Sequence, residues 1–268
     1  MRKGFLWFCQ NNTDTDYVRC SIELARSIKR HNKDNNICVV TDEQSRFESE
    51  YVDVVKVLKQ DDSQGHDIKW ANEHKAFRLT PFTHTIKLEA DMLWTANTDS
   101  WWYLLWQHDL VFSVDCLNYK GETVRDRHYR RLFARNLLPN VYNGMTYFRK
   151  STTAKRFFDT CEALTRNWQY VQKNILINCH DPFPSTDVVY ALAYRLIDPT
   201  MEHLVDYPWF KFIHNKKAIH GLSHVNDHDE YLMPSKVGDK IYLGTQRLGR
   251  VWHYVDKKMM EVLDGRVF

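Results

Sequence analysis

No apolar run in the 268-residue chain approaches the roughly 20 residues needed to cross a bilayer, so a helical membrane span is not expected. The apolar stretch in MRKGFLWFCQNN is too short for a secretory signal, and no small-residue cleavage site follows it. Neither terminus carries a clear basic amphipathic segment of the kind that anchors enzymes to membranes. The six cysteines, Cys9, Cys20, Cys38, Cys116, Cys161 and Cys179, are scattered and form no C-x-x-C pair. That pattern argues against structural zinc or a disulfide framework and for free thiols in a reducing compartment. A cytoplasmic location without a membrane partner is the simplest expectation. No repeat, low-complexity tract or Pro/Gly linker marks a boundary, so residues 1–268 read as one domain. The formal charge of +3 neither demands nor opposes a nucleic-acid partner, because distribution matters more than the sum. Nothing in the sequence signals an oligomeric state.

What is present is an ordinary globular composition, 43% hydrophobic and 26% charged, with aromatics high at 14%. Most aromatics serve to fill a core; some are suited to stacking on sugar rings or bases. Gly4–Cys9 reads as a buried first strand ending at Asn11 and Asn12. Asp14 or Thr15 can cap a following helix through Val18, Ile22, Leu24, Ala25 and Ile28. Strands are expected at Ile37–Thr41 and Tyr51–Val57, a helix through Trp70–Arg78, and a fourth strand at Thr83–Leu88. Strands at Leu110–Val114 and Tyr142–Phe148 and helices from about Thr152 to Trp168 and Thr186 to Leu196 follow. Alternation of this kind predicts an α/β fold with a mostly parallel central sheet and right-handed crossovers. Ligands then gather beyond the carboxyl ends of the strands, where Asn11, Asn12, Thr41, Asp42, Glu89 and Asp91 fall.

Glu89-Ala90-Asp91 directly follows the apolar fourth strand. An acid-x-acid triplet is common on solvated turns, but a strand-end position in an alternating chain gives it a chemical use. Two carboxylates one residue apart can hold a hard divalent cation, Mg2+ or Mn2+, which neutralises charge developing on a departing diphosphate.

The order of these elements resembles the DxD-bearing GT-A glycosyltransferases, whose fold is Rossmann-like with a mixed, mostly parallel sheet. Within that class the chain looks similar to phage enzymes that glucosylate or arabinosylate 5-hydroxymethylcytosine in DNA. The resemblance is carried by FLWFCQNNTDTDYVR, IKLEADMLW, LPNVYNGMTYFRKS, STDVVYALAYRL and VWHYVDKK, which span nearly the whole chain. Glu89 departs from it by standing where the motif usually opens with Asp. The resemblance implies a UDP-sugar donor, a divalent metal, and a division into a nucleotide-sugar part (1–115) and an acceptor part (116–268). The latter would carry the C-terminal metal and diphosphate element. A phage-encoded enzyme of this kind would work in the host cytoplasm.

The same resemblance implies a metal set of Asp91, Glu89 and a C-terminal histidine: His253, with His214 and His220 as competitors. Lys257 would meet the diphosphate. Asn143-Gly144 would lie beside the donor sugar, although a plain turn before a strand explains the pair equally well. Asp187 would orient the acceptor hydroxyl or take its proton, where simple helix capping also suffices. Asn11, Asp42, Lys75 and Arg78 are the further donor-contact candidates.

Arg125, Arg127, Arg130 and Arg131, with Arg135 close behind, fall in one predicted helix or loop. They form either a solvated basic face or a phosphate-contacting surface for DNA. An acceptor that is a saccharide, a lipopolysaccharide or a protein is compatible with every donor-side motif. A nucleotidyltransferase would need a Gly-rich loop after the first strand, and FCQNNTDTD contains no glycine. A non-catalytic DNA-binding protein would leave the acidic motif unexplained.

Overall fold

Lys3–Cys9 (β1) is apolar at almost every position, and a strand of that composition has to be covered on both faces. In the computed structural model, which describes residues 3–63, 66–222, 232–238, 240–257 and 259, β1 lies inside a six-stranded sheet. Its partners are Asn36–Thr41 (β2), Val54–Val57 (β3), His84–Leu88 (β4), Leu110–Val114 (β6) and Val141–Arg149 (β9), in the order β3-β2-β1-β4-β9-β6. The first four are parallel, and β9 runs antiparallel to both its neighbours. Period-2 alternation divides the side chains between two cores. Phe5, Trp7, Ile37 and Val39 share one with Leu24 and Ile28 of Tyr17–His31 (α1). Leu6, Cys38 and Val40 share the other with Phe157 of Thr152–Arg166 (α5) and Tyr190 of Thr186–Ile197 (α7). All six cysteines are buried, and none forms a disulfide.

A second sheet has the order β5-β14-β10-β7-β8. It is built from Met92–Trp94 (β5), Cys116–Leu117 (β7), Thr123–Val124 (β8), Ile213–His214 (β10) and Val251–His253 (β14). Pro234–Val237 (β11), Lys240–Leu243 (β12) and Gln246–Arg247 (β13) form a third, antiparallel one. The described residues also form the short helices Ala76–Leu79 (α2), Trp101–Leu105 (α3), Arg131–Arg135 (α4), Trp168–Asn174 (α6) and Lys217–His220 (α8). Among the described residues no helix is long and apolar enough to cross a membrane.

Several local expectations change. Asp16, rather than Asp14 or Thr15, caps α1 by accepting a hydrogen bond from the Arg19 N–H at 3.1 Å. Only the second half of Tyr51–Val57 pairs as a strand. The Trp70–Arg78 helix is a 3-10 helix, Lys69–Lys75, continued by the single turn of α2. Buried Asn72, Glu73, His74 and Lys75 each bond to side chains outside it, and these tethers override regular α-helical phase. The Thr152 helix ends at Arg166, before the separate α6. Of the helix or loop expected for the arginine segment, residues 125–130 form a loop with a turn at His128 and Tyr129, which leads from β8 into the five-residue α4.

Candidate active site

Glu89 and Asp91 occupy the link between β4 in the large sheet and β5 in the small one. Because β14 pairs antiparallel with β5, His253 lies opposite Met92, and the Tyr254 N–H donates to the Asp91 carbonyl at 3.2 Å. A residue 162 positions downstream of Asp91 therefore reaches it through strand register. Ligand atoms of Glu89, Asp91 and His253 lie within 4.8 Å of one another. His253 Nε2 is 3.2 Å from Asp91 Oδ2, and its Nδ1 is 3.5 Å from Glu89 Oε2. Lys257 Nζ also contacts Asp91 Oδ2. Lys258, the last residue of the VWHYVDKK segment, lies outside the described residues.

The electrostatics agree with the geometry. Burial opposes charge on Asp91, but His253 and Lys257 outweigh it and hold the carboxyl well below the usual range. Burial also works against a charged His253, yet Asp91 and Glu89 prevail and raise its pKa. His253 Nδ1 is buried and makes no hydrogen bond. Two carboxylates and an imidazole with an uncommitted nitrogen are a donor set that fits Mn2+ or Mg2+.

Of the competing histidines, His214 stacks on His253 with ring centroids 4.7 Å apart. Burial and the neighbouring His253 push its pKa well below the ordinary value, so it packs as a neutral ring behind the cluster. His220 is tied elsewhere, bonding to Asn215 Oδ1 at 2.7 Å and accepting from the Tyr119 N–H at 3.1 Å.

The strand β9, adjacent to β4 with Met145 opposite Leu88, brings Asn143 and Gly144 to the same place. Asn143 Nδ2 donates to Glu89 Oε1 at 2.8 Å and to Thr186 Oγ1 at 3.0 Å. Its backbone N–H donates to Asp187 Oδ1 at 2.8 Å. Asp187 also pairs with Arg130 at 3.0 Å and does not cap α7, which has no side-chain cap. Gly144 is required by close approach: a Cβ there would lie 2.9 Å from Met92 Cε and 3.0 Å from Glu89 Oε2.

Beside the cluster opens a pocket lined by Phe8, Gln10, Tyr17, Trp70 and Glu73. A second depression shares Asn12, Asp67 and Lys69 with it and is bordered by Asn11 and Asp42. Both expected donor contacts in the loop after β1 and at the β2 end thus border the cleft, although their side chains also hold the backbone. Asn11 Oδ1 accepts from the Val18 N–H at 3.1 Å, and Asp42 Oδ1 from the Ser45 N–H at 2.8 Å.

Lys75 and Arg78 are placed differently from expectation. Buried Lys75 is consumed by the Gln60 carbonyl at 2.6 Å and Asp62 at 3.1 Å. Arg78 faces Glu162 on α5 at 3.8 Å. The arginine group divides as well. Arg125, Arg127 and Arg131 are exposed, whereas Arg130 is buried over the Phe133 and Tyr142 rings and bonded to Asn140 Oδ1 at 2.6 Å. Its guanidinium braces the β9 end of the site and does not face an external phosphate.

Two residues escaped the sequence reading. Lys87 is fully buried in β4, where its ammonium contacts the Glu73 carboxylate and Asn143 Oδ1. Burial drives the Glu73 pKa upward against the pull of Lys87. A lysine inside HTIKL was a visible signal, since a buried cation needs a paired anion; which anion was not legible.

No protein-family model matches the sequence, and no curated protein matches it either. Among solved structures, the chain is similar to mouse xyloside xylosyltransferase 1 in its apo form, with a TM-score of 0.53 and 10% identity. The likeness covers 94% of this chain and 97% of that one. It shows the fold: an α/β architecture with mixed sheets of the GT-A glycosyltransferase type.

Proposed function

We propose that this protein is a metal-assisted glycosyltransferase that uses a nucleoside diphosphate sugar. The observation that carries the reading is the convergence of Glu89, Asp91 and His253, with Lys257 beside them, at the pocket beyond the β4 end. In the reaction, an acceptor hydroxyl oxygen bonds to the anomeric carbon as that carbon's bond to the diphosphate oxygen breaks. The hydroxyl proton is released, and the nucleoside diphosphate departs. A divalent cation held by Glu89, Asp91 and His253 would supply positive charge against the departing diphosphate.

The chain's own groups do the rest. Lys257 offers a second cation to the diphosphate, and Asn143 fixes the Glu89 carboxylate. Gly144 leaves room for that carboxylate and for the donor sugar. Asp187 acts on the site through the Asn143 backbone and Arg130, as a positioning residue. Asn11 and Asp42 border the depression suited to the nucleoside.

The finer expectation, glucose or arabinose passed from UDP to 5-hydroxymethylcytosine in DNA, draws its support from the sequence resemblance and from exposed Arg125, Arg127 and Arg131. The test is incubation with Mn2+ and a panel of UDP-sugars, with and without hydroxymethylated DNA, followed by product mass analysis. UDP-xylose joins the panel because of the similar mouse enzyme's name. Metal-dependent release of UDP is expected with at least one donor; none with any donor would overturn the proposal.

A further inference from the structure

Trp70 and Glu89 line the donor pocket on one side and, on the other, a separate surface groove completed by Asp181, Phe183, Ser185 and Thr186. We infer that this groove is the acceptor subsite and that it receives an uncharged sugar ring of a glycoside, stacked against Trp70 and Phe183. The inference rests on the proposed transferase reading and adds the acceptor class to it.

The groove is built, not incidental. Trp70 is 41% exposed and Phe183 40%, high for side chains of that size. Nevertheless their backbones and rings are held. The Trp70 indole N–H donates to the Pro184 carbonyl at 2.9 Å. The Asp181 carbonyl accepts from Trp168 Nε1 at 2.8 Å and Gln172 Nε2 at 3.0 Å. His66 lies against the Phe183 ring with centroids 5.5 Å apart. An aromatic ring held toward water offers a flat apolar face to the C–H side of a sugar, at little cost in side-chain entropy.

Charge decides the class. The ionisable groups lining the groove are Asp181 and Glu89, and among the described residues no lysine or arginine lines it. Carboxylates and the Ser185 and Thr186 hydroxyls accept hydrogen bonds from sugar hydroxyls. A phosphodiester chain laid there would instead meet like charge and find no cation to replace its counterions. The groove shares Glu89 with the proposed metal cluster, so a ring seated in it presents its hydroxyl beside the donor sugar.

The test has two stages. First, UDP release from the panel of UDP-sugars with Mn2+ establishes the donor reaction without any acceptor; its absence defeats the transferase reading itself. Second, with the active donor, methyl glucoside, methyl galactoside, methyl xyloside, lactose and hydroxymethylated DNA are compared as acceptors. The expected result is transfer to at least one glycoside. Phe183→Ala should raise the KM for that glycoside about tenfold, the equivalent of one lost stacking contact of roughly 1.4 kcal/mol, and Phe183→Tyr should restore it. Asp181→Lys should weaken glycoside transfer. Thermal melts of each variant report folding separately. Donor hydrolysis with transfer only to DNA, or a glycoside KM indifferent to Phe183→Ala, overturns the inference while leaving the transferase reading intact.

Discussion

Asn143 Nδ2 stands 2.8 Å from Glu89 Oε1, while the Oδ1 of the same amide contacts the buried Lys87 ammonium. One side chain thus joins the acidic motif to the Lys87–Glu73 ion pair inside the sheet. An asparagine suits this position because it donates to an anion and accepts from a cation at once. Aspartate would accept from Lys87 but repel Glu89.

Asn143→Ala should therefore cost on two counts. It leaves Lys87 short of a partner, destabilising the fold by about 2 kcal/mol. It also frees Glu89, which should lower metal affinity or activity roughly 10–100-fold, as loss of an outer-shell partner does. Urea unfolding and Mn2+-dependent UDP release separate the two effects. Asn143→Asp should keep more stability than Asn143→Ala and less Glu89 order; equal Mn2+ dependence in wild type and both variants would show that Asn143 does not position Glu89.

Gly144→Ala adds a methyl group 3.0 Å from Glu89 Oε2 and 2.9 Å from Met92 Cε. The flexible end of Met92 can yield, but the Glu89 carboxylate is held by Asn143 at 2.8 Å and can make room only by shifting against that bond. A stability loss of about 1–3 kcal/mol is expected from overpacking, together with a higher Mn2+ concentration for half-activation. A variant with wild-type Mn2+ activation would mean that Glu89 is not confined by this contact.

The sheet was readable from the sequence because β1 and β2 are buried on both faces and apolar over most of their length, while β4 is equally buried although it carries His84, Thr85 and Lys87. The triplet was readable because its two carboxylates stand directly at a strand end in a chain of alternating strands and helices. What sequence could not give was lateral register. His253 rather than His214 meets Asp91 because β14, not β10, pairs with β5, and two short apolar strands carry no signal for that choice. Lys75 and Arg78 misled because they sit on a segment whose helical phase is set by tethers from Asn72 and Glu73 to distant chain. Arg130 looked like its exposed neighbours in sequence; its burial depends on Asn140 and Tyr142, which lie on the far side of α4.

Stability should fall with acidification through His74. Its ring is buried and bonded to Asp62 at 2.8 Å. Burial lowers its pKa despite the pull of Asp62 and Glu162. A histidine whose folded pKa is depressed contributes stability that is present above its unfolded value, about 6.5, and lost as pH falls through the folded value. Asp62 adds to the same trend lower down: burial opposes its charge, but His74 and Lys75 hold its pKa below the ordinary carboxylate value. Its contribution is present above about pH 4 and lost as pH drops through the folded value. Thermal melts from pH 7.5 to 4.5 should show a falling midpoint, and His74→Gln should flatten the slope between pH 6.5 and 5. An unchanged slope in His74→Gln would assign the acid sensitivity to other groups.

Asp91→Asn is the sharpest test of the metal cluster. The substitution keeps the side-chain shape, and the backbone carbonyl that accepts from Tyr254 is untouched, so the β5–β14 pairing should survive. What disappears is the charge that His253 and Lys257 both contact. Mn2+ binding, followed by the electron paramagnetic resonance of the free ion, should weaken by more than the roughly 100-fold at the upper end for outer-shell changes. Metal-dependent UDP release should be lost with it. His214→Phe serves as the contrast, because a phenyl ring can stack on His253 in place of the neutral imidazole and takes no ligand away. It should bind Mn2+ much as wild type does. Should Asp91→Asn bind Mn2+ normally while His214→Phe does not, the cation would be held on the His214 side of the stacked pair and the Glu89–Asp91–His253 assignment would be wrong.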